Sequence, residues 1–369
     1  VKIDLVELLH VEIPLVSPFR TSFGTMTSKD TFLLRVVADG AEGWSEFAAD
    51  PEPLYCSEFV AGAEIVLATC LVPSVVALPE VSASRVGPAM AFVKGHHLAK
   101  AALETAVLDA ELRAFGMTIG GYLGATASRV PAGVSVGIKA SLPELLDDVE
   151  RYLSEGYVRI KLKIEPGWDV APVRAVRERF GYELPLQVDA NTAYSLADAA
   201  HLRRLDEFDL LLIEQPLPED DMRGHAVLAQ RMRTPICLDE SITSARDAAT
   251  ALAMDACQII NVKPARVGGY LEARRIHDVA MANGVAVWCG GMLETGIGRA
   301  PNLALAALPG FVLPGDLSAS SRYFAEDLTE PFVVEDGHVR VPTGVGIGIE
   351  PLPDAVKRFT TSRRVLYSR

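Results

Sequence analysis

Apolar and polar positions alternate along the first stretch of the chain. Ile3, Leu5 and Leu9 are followed by the run Phe32 to Val37, a turn at Asp39-Gly40, and Glu42 to Phe47. Period-two alternation broken by a turn dipeptide predicts a small antiparallel sheet with a hairpin. From Ser57 to Gly116 the period becomes helical, most clearly in the Ala- and Leu-rich run Leu98 to Phe115 closed by Gly116. Strands followed by a separate run of helices predict an α+β domain. After Gly124 the rhythm changes again. Short apolar runs recur at Val134–Val136, Val158–Lys163, Leu186–Asp189, Leu210–Glu214, Ile236–Asp239, Ile259–Lys263, Val285–Trp288 and Phe311–Leu313, with helical stretches such as Trp168–Phe180 and Gly269–Asn283 between them. Strand-helix units at this period predict parallel strands with crossover helices, and eight strands predict a closed barrel. An open doubly wound sheet is the competing fold, but no GxGxxG turn follows a strand. Beyond Asp327, alternation returns in Phe332–Glu335 and His338–Val341, expected to rejoin the N-terminal sheet. The expected organisation is an α+β cap over 1–124, a barrel over 125–326 and a C-terminal segment, 327–369, returning to the cap.

Composition narrows the class of partner. The 369 residues carry a formal charge of −13 and contain no basic block, which argues against general nucleic-acid or anionic-membrane binding. The longest uncharged stretch, Ala300 to Gly315, holds three prolines and falls short of the roughly 20 apolar residues of a membrane span. No charged n-region with an apolar h-region opens the sequence. The five cysteines, Cys56, Cys70, Cys237, Cys257 and Cys289, form no CxxC, as expected of reduced thiols in a cytoplasmic protein.

The barrel strands end in charged residues. Lys163, Asp189, Glu214, Asp239 and Lys263 follow one another at intervals of 26, 25, 25 and 24 residues, and parallel-barrel strands all end on the face where active sites are built. Lys161 and Lys163 differ by two and so point the same way. Glu240 and Asp247 are expected instead as helix caps or loop ion pairs. Three carboxylates from three consecutive strands repel one another unless a cation sits among them, and hard oxygen donors suit Mg²⁺ better than zinc. A divalent cation beside a substrate carboxylate would stabilise the dianionic enediolate formed when the α-proton leaves. Lys163 ends the second strand and Lys263 the sixth, on opposite sides of the mouth, an arrangement that allows proton removal on one face and return on the other. Lys161 and the metal would both disfavour a charged Lys163.

Several ordered motifs carry a resemblance over essentially the whole length: Pro18-Phe-Arg-Thr-Ser-Phe-Gly24, Ser135-Val-Gly137, Lys161-Leu-Lys163, Val188-Asp-Ala-Asn191, Ile213-Glu-Gln-Pro216, Leu238-Asp-Glu240, Asn261-Val-Lys263 and Gly290-Gly-Met-Leu-Glu-Thr295. The chain resembles the muconate-lactonizing branch of the enolase superfamily, and within it the enzymes that act as o-succinylbenzoate synthases and N-succinylamino acid racemases. The resemblance implies a TIM-like (β/α)7β barrel with a capping domain and a homo-oligomer. It implies Mg²⁺, with Mn²⁺ able to substitute, on Asp189, Glu214 and Asp239, and an acid/base pair of Lys163 and Lys263. The implied substrate is a small carboxylate carrying a succinyl group.

Selectivity is expected from the cap and from the first and last barrel loops. Phe19, Arg20, Phe23 and Tyr55 lie in cap loops able to close over a substrate. Ser135, Asn191, Gly291 and Leu293 lie at strand ends, and Lys161 is placed to hydrogen-bond the substrate carboxylate. Close members of the family often carry an apolar residue where this chain has Asp50. Arg266, three residues after Lys263, is a candidate for tuning that lysine by like-charge repulsion, the alternatives being a surface arginine or an ion pair with Glu240. Muconate cycloisomerases share the lysines and metal ligands. Dipeptide epimerases carry a paired-Asp motif where this chain reads Asp316-Leu-Ser318. A non-catalytic barrel is the remaining, remote reading.

Overall fold

A computed structural model describes residues 1–369. The N-terminal sheet contains β1 (Ile3–Arg20), β2 (Thr25–Ala38) and β3 (Ala41–Glu46). The β2–β3 reversal places Asp39 and Gly40 at φ 49° and 79°, the left-handed pair that a two-residue hairpin requires. The buried positions of the sheet, among them Val6, Leu8, Phe32, Leu34 and Val36, pack with Leu103, Ala106, Val107 and Ala110 of the helix His97–Ala114. Contact is closest at Gly43, where a Cβ would stand 2.0 Å from the Ala106 carbonyl oxygen, so no other residue fits there. That helix is apolar on nearly every side because the cap sheet covers one face and the barrel the other.

The barrel begins after β4 (Arg129–Pro131) with β5 (Gly133–Val136), β6 (Arg159–Lys163), β7 (Leu186–Asp189), β8 (Ile213–Glu214), β9 (Ile236–Leu238), β10 (Ile259–Val262) and β11 (Ala286–Cys289). These seven, β5 to β11, are parallel and lie side by side in sequence order. The expected eighth strand at Phe311–Leu313 is not a strand. Phe311 makes a single parallel bridge to Val287, and Gly315 bridges Ala132, so a segment interrupted by Pro314 closes the barrel with isolated bonds instead of a ladder.

The tail differs from expectation too. The alternating stretch His338–Arg340 forms β12 and pairs with β4, at the entrance to the barrel. The segment that joins the cap sheet is β13 (Thr360–Ser368), antiparallel to β1. Alternation marks a strand's faces but not its partner.

The cap docks through carboxylates. Glu104 accepts the N–H groups of Tyr270 (3.1 Å) and Leu271 (3.0 Å), capping the barrel helix Tyr270–Ala282. Glu46 accepts the N–H (2.9 Å) and hydroxyl (2.6 Å) of Thr295. Asp109 accepts the N–H groups of Trp44 and Ile347, both at 2.8 Å. No helix is long and apolar enough to cross a membrane.

Candidate active site

Register assembles the site. Lys163 pairs with Asp189 and Asp189 with Glu214 across three adjacent parallel strands, so the three side chains share the barrel interior at one level. Asp239 follows β9 directly and Lys263 follows β10. Lys163 donates to Asp189 Oδ2 (2.6 Å) and Asn191 Oδ1 (2.7 Å). Lys263 donates to Asp239 Oδ2 (2.6 Å) and to the Tyr55 hydroxyl (3.1 Å), which in turn donates to Asp239 Oδ2 (3.2 Å). A Cβ at Gly290 would stand 2.6 Å from Lys263 Cε, so the position directly after β11 must carry no side chain for this lysine to fit. β10 stands four positions from β6, with β7, β8 and β9 between them, in a barrel of eight positions, which sets the two lysines opposite each other.

Lys161 lies one layer deeper. Its ammonium is held by Glu214 Oε2 (2.9 Å), Asp189 Oδ2 (3.2 Å) and Asp316 Oδ2 (2.5 Å), over the Trp288 ring at 4.9 Å. Arg266 is buried, neither on the surface nor paired with the Glu240 carboxylate. Its Nε donates to Asp239 Oδ1 (3.0 Å), the oxygen Lys263 leaves free, and one terminal nitrogen to the Glu240 carbonyl (3.0 Å). Asp247 helps to close the start of its own helix, as the sequence suggests: Ser244 is the N-cap and accepts the Asp247 N–H (3.2 Å), and the Asp247 carboxylate accepts the Thr243 N–H (3.1 Å). Glu240 does otherwise: it turns inward and accepts from Asn191 Nδ2 (2.9 Å).

Burial works against the charge on Asp189, Glu214, Asp239, Glu240 and Lys263, and the balance differs by residue. Lys163 and Lys161 outweigh it at Asp189, whose carboxyl is held well below the usual range. At Asp239, Lys263 and Arg266 outweigh burial and lower the carboxyl. Asp239 and Tyr55 reverse the effect of burial at Lys263 and hold its ammonium well above the ordinary lysine value. Glu214 goes the other way: burial and the neighbouring Asp189 push it up to about 8. Burial and Asp239 likewise raise Glu240 to about 7. No three acidic, His or Cys side chains converge on one point as a ready metal cage, because ammoniums lie on the oxygens that face inward. The donor set nonetheless fits a hard divalent cation. It consists of three fully buried carboxylates on adjacent strands, and protein cations alone leave Glu214 short of positive charge.

Above the lysines lies a cavity of about 270 Å³. Phe19, Phe23, Tyr55, Asn191, Gly291 and Leu293 line it with Lys163 and Lys263, as sequence reasoning grouped them. Leu293 does so at φ 55°. Ser135, Lys161 and Arg20 are not brought to its wall. Ser135 is buried with its carbonyl held by Arg322 (3.0 Å), and Arg20 pairs outside with Glu165 (2.9 Å). Sequence reasoning missed Asn261, which donates to Glu214 Oε1 (2.6 Å), and the role of Asp316, which also pairs with Arg159 (2.9 Å). For Asn261 a signal existed: it precedes Lys263 by two and so faces the same way.

Known proteins match along the whole length. Residues 3–124 match the mandelate racemase / muconate lactonizing enzyme N-terminal domain, and residues 144–355 the enolase C-terminal domain-like family. An N-succinylamino acid racemase of Amycolatopsis is 59% identical, with 98% of each chain covered. An o-succinylbenzoate synthase of Geobacillus kaustophilus is 45% identical over 100% of this chain and 98% of its own. The crystal structure of an enolase-superfamily member from Listeria innocua superposes with a TM-score of 0.95 at 39% identity, covering all of both chains. With cap and barrel both matched and the strand-end lysines and carboxylates in place, the chain belongs to the enolase superfamily, in its mandelate racemase / muconate lactonizing branch.

Proposed function

We propose that this protein removes the proton α to a carboxylate, acting as an o-succinylbenzoate synthase, a carbon–oxygen lyase, and as an N-succinylamino acid racemase. One observation carries the reading: Lys163 and Lys263 face one cavity from opposite sides of the barrel, each 2.6 Å from a buried carboxylate oxygen. A carbon placed between two such amines can lose a proton to one and regain it from the other with inversion. Elimination of water asks less, because Lys163 alone can take the proton while Lys263 remains cationic beside the developing negative charge. The two relatives named for these reactions support the assignment. A dipeptide epimerase is disfavoured because Asp316, the one acid of its motif, is spent on Lys161 and Arg159 below the cavity.

Asp189, Glu214 and Asp239 are the residues that would hold Mg²⁺, which supplies positive charge next to the substrate carboxylate as the α-proton leaves. Asn191 and Tyr55 orient the two lysines through the bonds described above, and Phe19 and Phe23 give the cavity part of its apolar lining. Five unpaired cysteines suit a reducing cytoplasm. The test is α-proton exchange in D₂O on separate enantiomers of N-succinylamino acids. Lys163→Ala should abolish exchange of one enantiomer and Lys263→Ala that of the other. A single variant that racemises at the wild-type rate refutes the two-base reading.

A further inference from the structure

The cavity above the lysines is not uniformly apolar. Phe19, Phe23, Leu54 and Leu293 line it, yet Asp50 also lines this space. Its carboxylate takes neither a hydrogen bond nor an ion pair from the protein, although most of it is shielded from water. The ammonium of Lys29, whose charge acts on Asp50, makes its hydrogen bonds elsewhere: it donates to the carbonyls of Met292 (2.9 Å) and Ala48 (3.4 Å). Arg20 does not line the cavity and pairs with Glu165 instead. The remaining charged groups on the cavity wall away from the lysines are Asp30 and Glu52, both acidic.

An apolar substrate group pushed against Asp50 would strip the last water from an unpaired carboxylate, a loss that a hydrocarbon contact does not return. A group that donates hydrogen bonds or carries positive charge would supply the missing partner. Sites built around such a buried polar group discriminate strongly against ligands that lack its complement. We infer that Asp50 is a specificity-determining residue that selects N-succinylamino acids whose side chain ends in a cation, lysine or arginine in chemistry, over apolar side chains of the same length. This rests on the racemase reading of the site and adds the class of side chain it prefers.

The experiment compares α-proton exchange of N-succinyl-lysine with that of N-succinyl-norleucine, which is lysine without its ammonium, in wild type, Asp50→Asn and Asp50→Leu. Wild type should favour the lysine derivative at least tenfold in kcat/KM. Asp50→Asn should shrink that preference severalfold while keeping the shape of the wall, and Asp50→Leu should reverse it. Equal or better use of norleucine by wild type overturns the inference, as does a lysine preference that both variants retain. Those outcomes leave the racemase reading intact. Absence of exchange on N-succinyl derivatives of every side-chain class, with folded protein and added Mg²⁺, overturns the racemase reading itself.

Discussion

Replacing Tyr55 by phenylalanine should separate the two lysines. The hydroxyl is the one cap group that touches the reacting end of Lys263. It accepts from Nζ at 3.1 Å and donates to Asp239 Oδ2 at 3.2 Å, and it makes no contact with Lys163. The phenyl ring would stay, keeping the stack over the Lys263 ammonium at 5.0 Å and the contact with Phe23 at 5.8 Å, so the change isolates the hydroxyl. Hydrogen bonds to charged groups contribute about 1.5–3 kcal/mol, and these two are long, so the lower figure applies. About 1.5 kcal/mol is roughly a tenfold loss in rate. We expect exchange of the enantiomer served by Lys263 to fall about tenfold, exchange at Lys163 by no more than about twofold, and the melting temperature to hold. Proton NMR in D₂O on each enantiomer reads both numbers from one preparation. Equal losses on the two faces, or none on either, would refute the claim that the cap orients Lys263.

Other perturbations probe the same frame. Arg266→Gln frees Asp239 Oδ1, so Lys263 can grip both oxygens of that carboxylate; racemisation should fall several times more than dehydration, and equal losses in the two assays would contradict it. Chelation by EDTA should abolish activity and lower the melting temperature by a few degrees, with Mg²⁺ or Mn²⁺ restoring both, since ligand at a hundredfold excess over Kd contributes about 2.7 kcal/mol. Asp239→Asn should blunt the thermal shift itself, and an undiminished shift would remove Asp239 from the metal site. Glu104 is lifted by burial to about 7 from an ordinary value of 4.5. Folding therefore favours its protonated form, and that stability, about 3 kcal/mol, is fully present below pH 4.5 and lost as pH rises through 7. Glu104→Gln should flatten the fall in melting temperature between pH 5 and 8, and parallel curves would show that Glu104 does not titrate in that range.

The layer of lysines and carboxylates at the barrel mouth was legible in the sequence because a parallel barrel converts spacing into position. Strand ends about 25 residues apart land on one rim, and period-two alternation puts Lys161 and Lys163 on the same side of β6. Depth was not legible. Two residues along a strand are about 6.6 Å, which takes Lys161 out of the cavity and beneath the plane of the carboxylates. There it is neutralised by Asp189, Glu214 and Asp316 and has no donor left facing the cavity. The direction of Arg266 was equally hidden, since a turn after β10 can aim a guanidinium at solvent, at Glu240 or at Asp239, and only the packed loop decides.

The cap was harder to read for a different reason. Glu104 and Asp109 stand in a helix whose sequence offers no contrast between faces, and Glu46 ends an edge strand, so each looks like an ordinary solvated charge. Each is in fact a hydrogen-bond acceptor for backbone far away in the chain: Glu104 for Tyr270, 166 residues on, and Glu46 for Thr295, 249 residues on. Helix N-termini expose unsatisfied N–H groups that any carboxylate can cap, and sequence does not say which carboxylate arrives. The consequence is mechanical. Tyr270 begins the helix that follows the Lys263–Arg266 turn, and Thr295 follows Gly291–Leu293 of the cavity wall, so both buried caps lock the cap domain to the Lys263 half of the mouth. On the Lys163 half the cap is tied by Arg20 to Glu165, half exposed, and by the Ser22 hydroxyl to the Ala190 carbonyl at 3.3 Å. Exposed pairs of that kind contribute little. What seats the cap on that half is backbone: the Ile138 N–H donates to the Arg20 carbonyl at 2.9 Å, and a Cβ at Gly137 would stand 2.8 Å from that oxygen, so only glycine allows the approach.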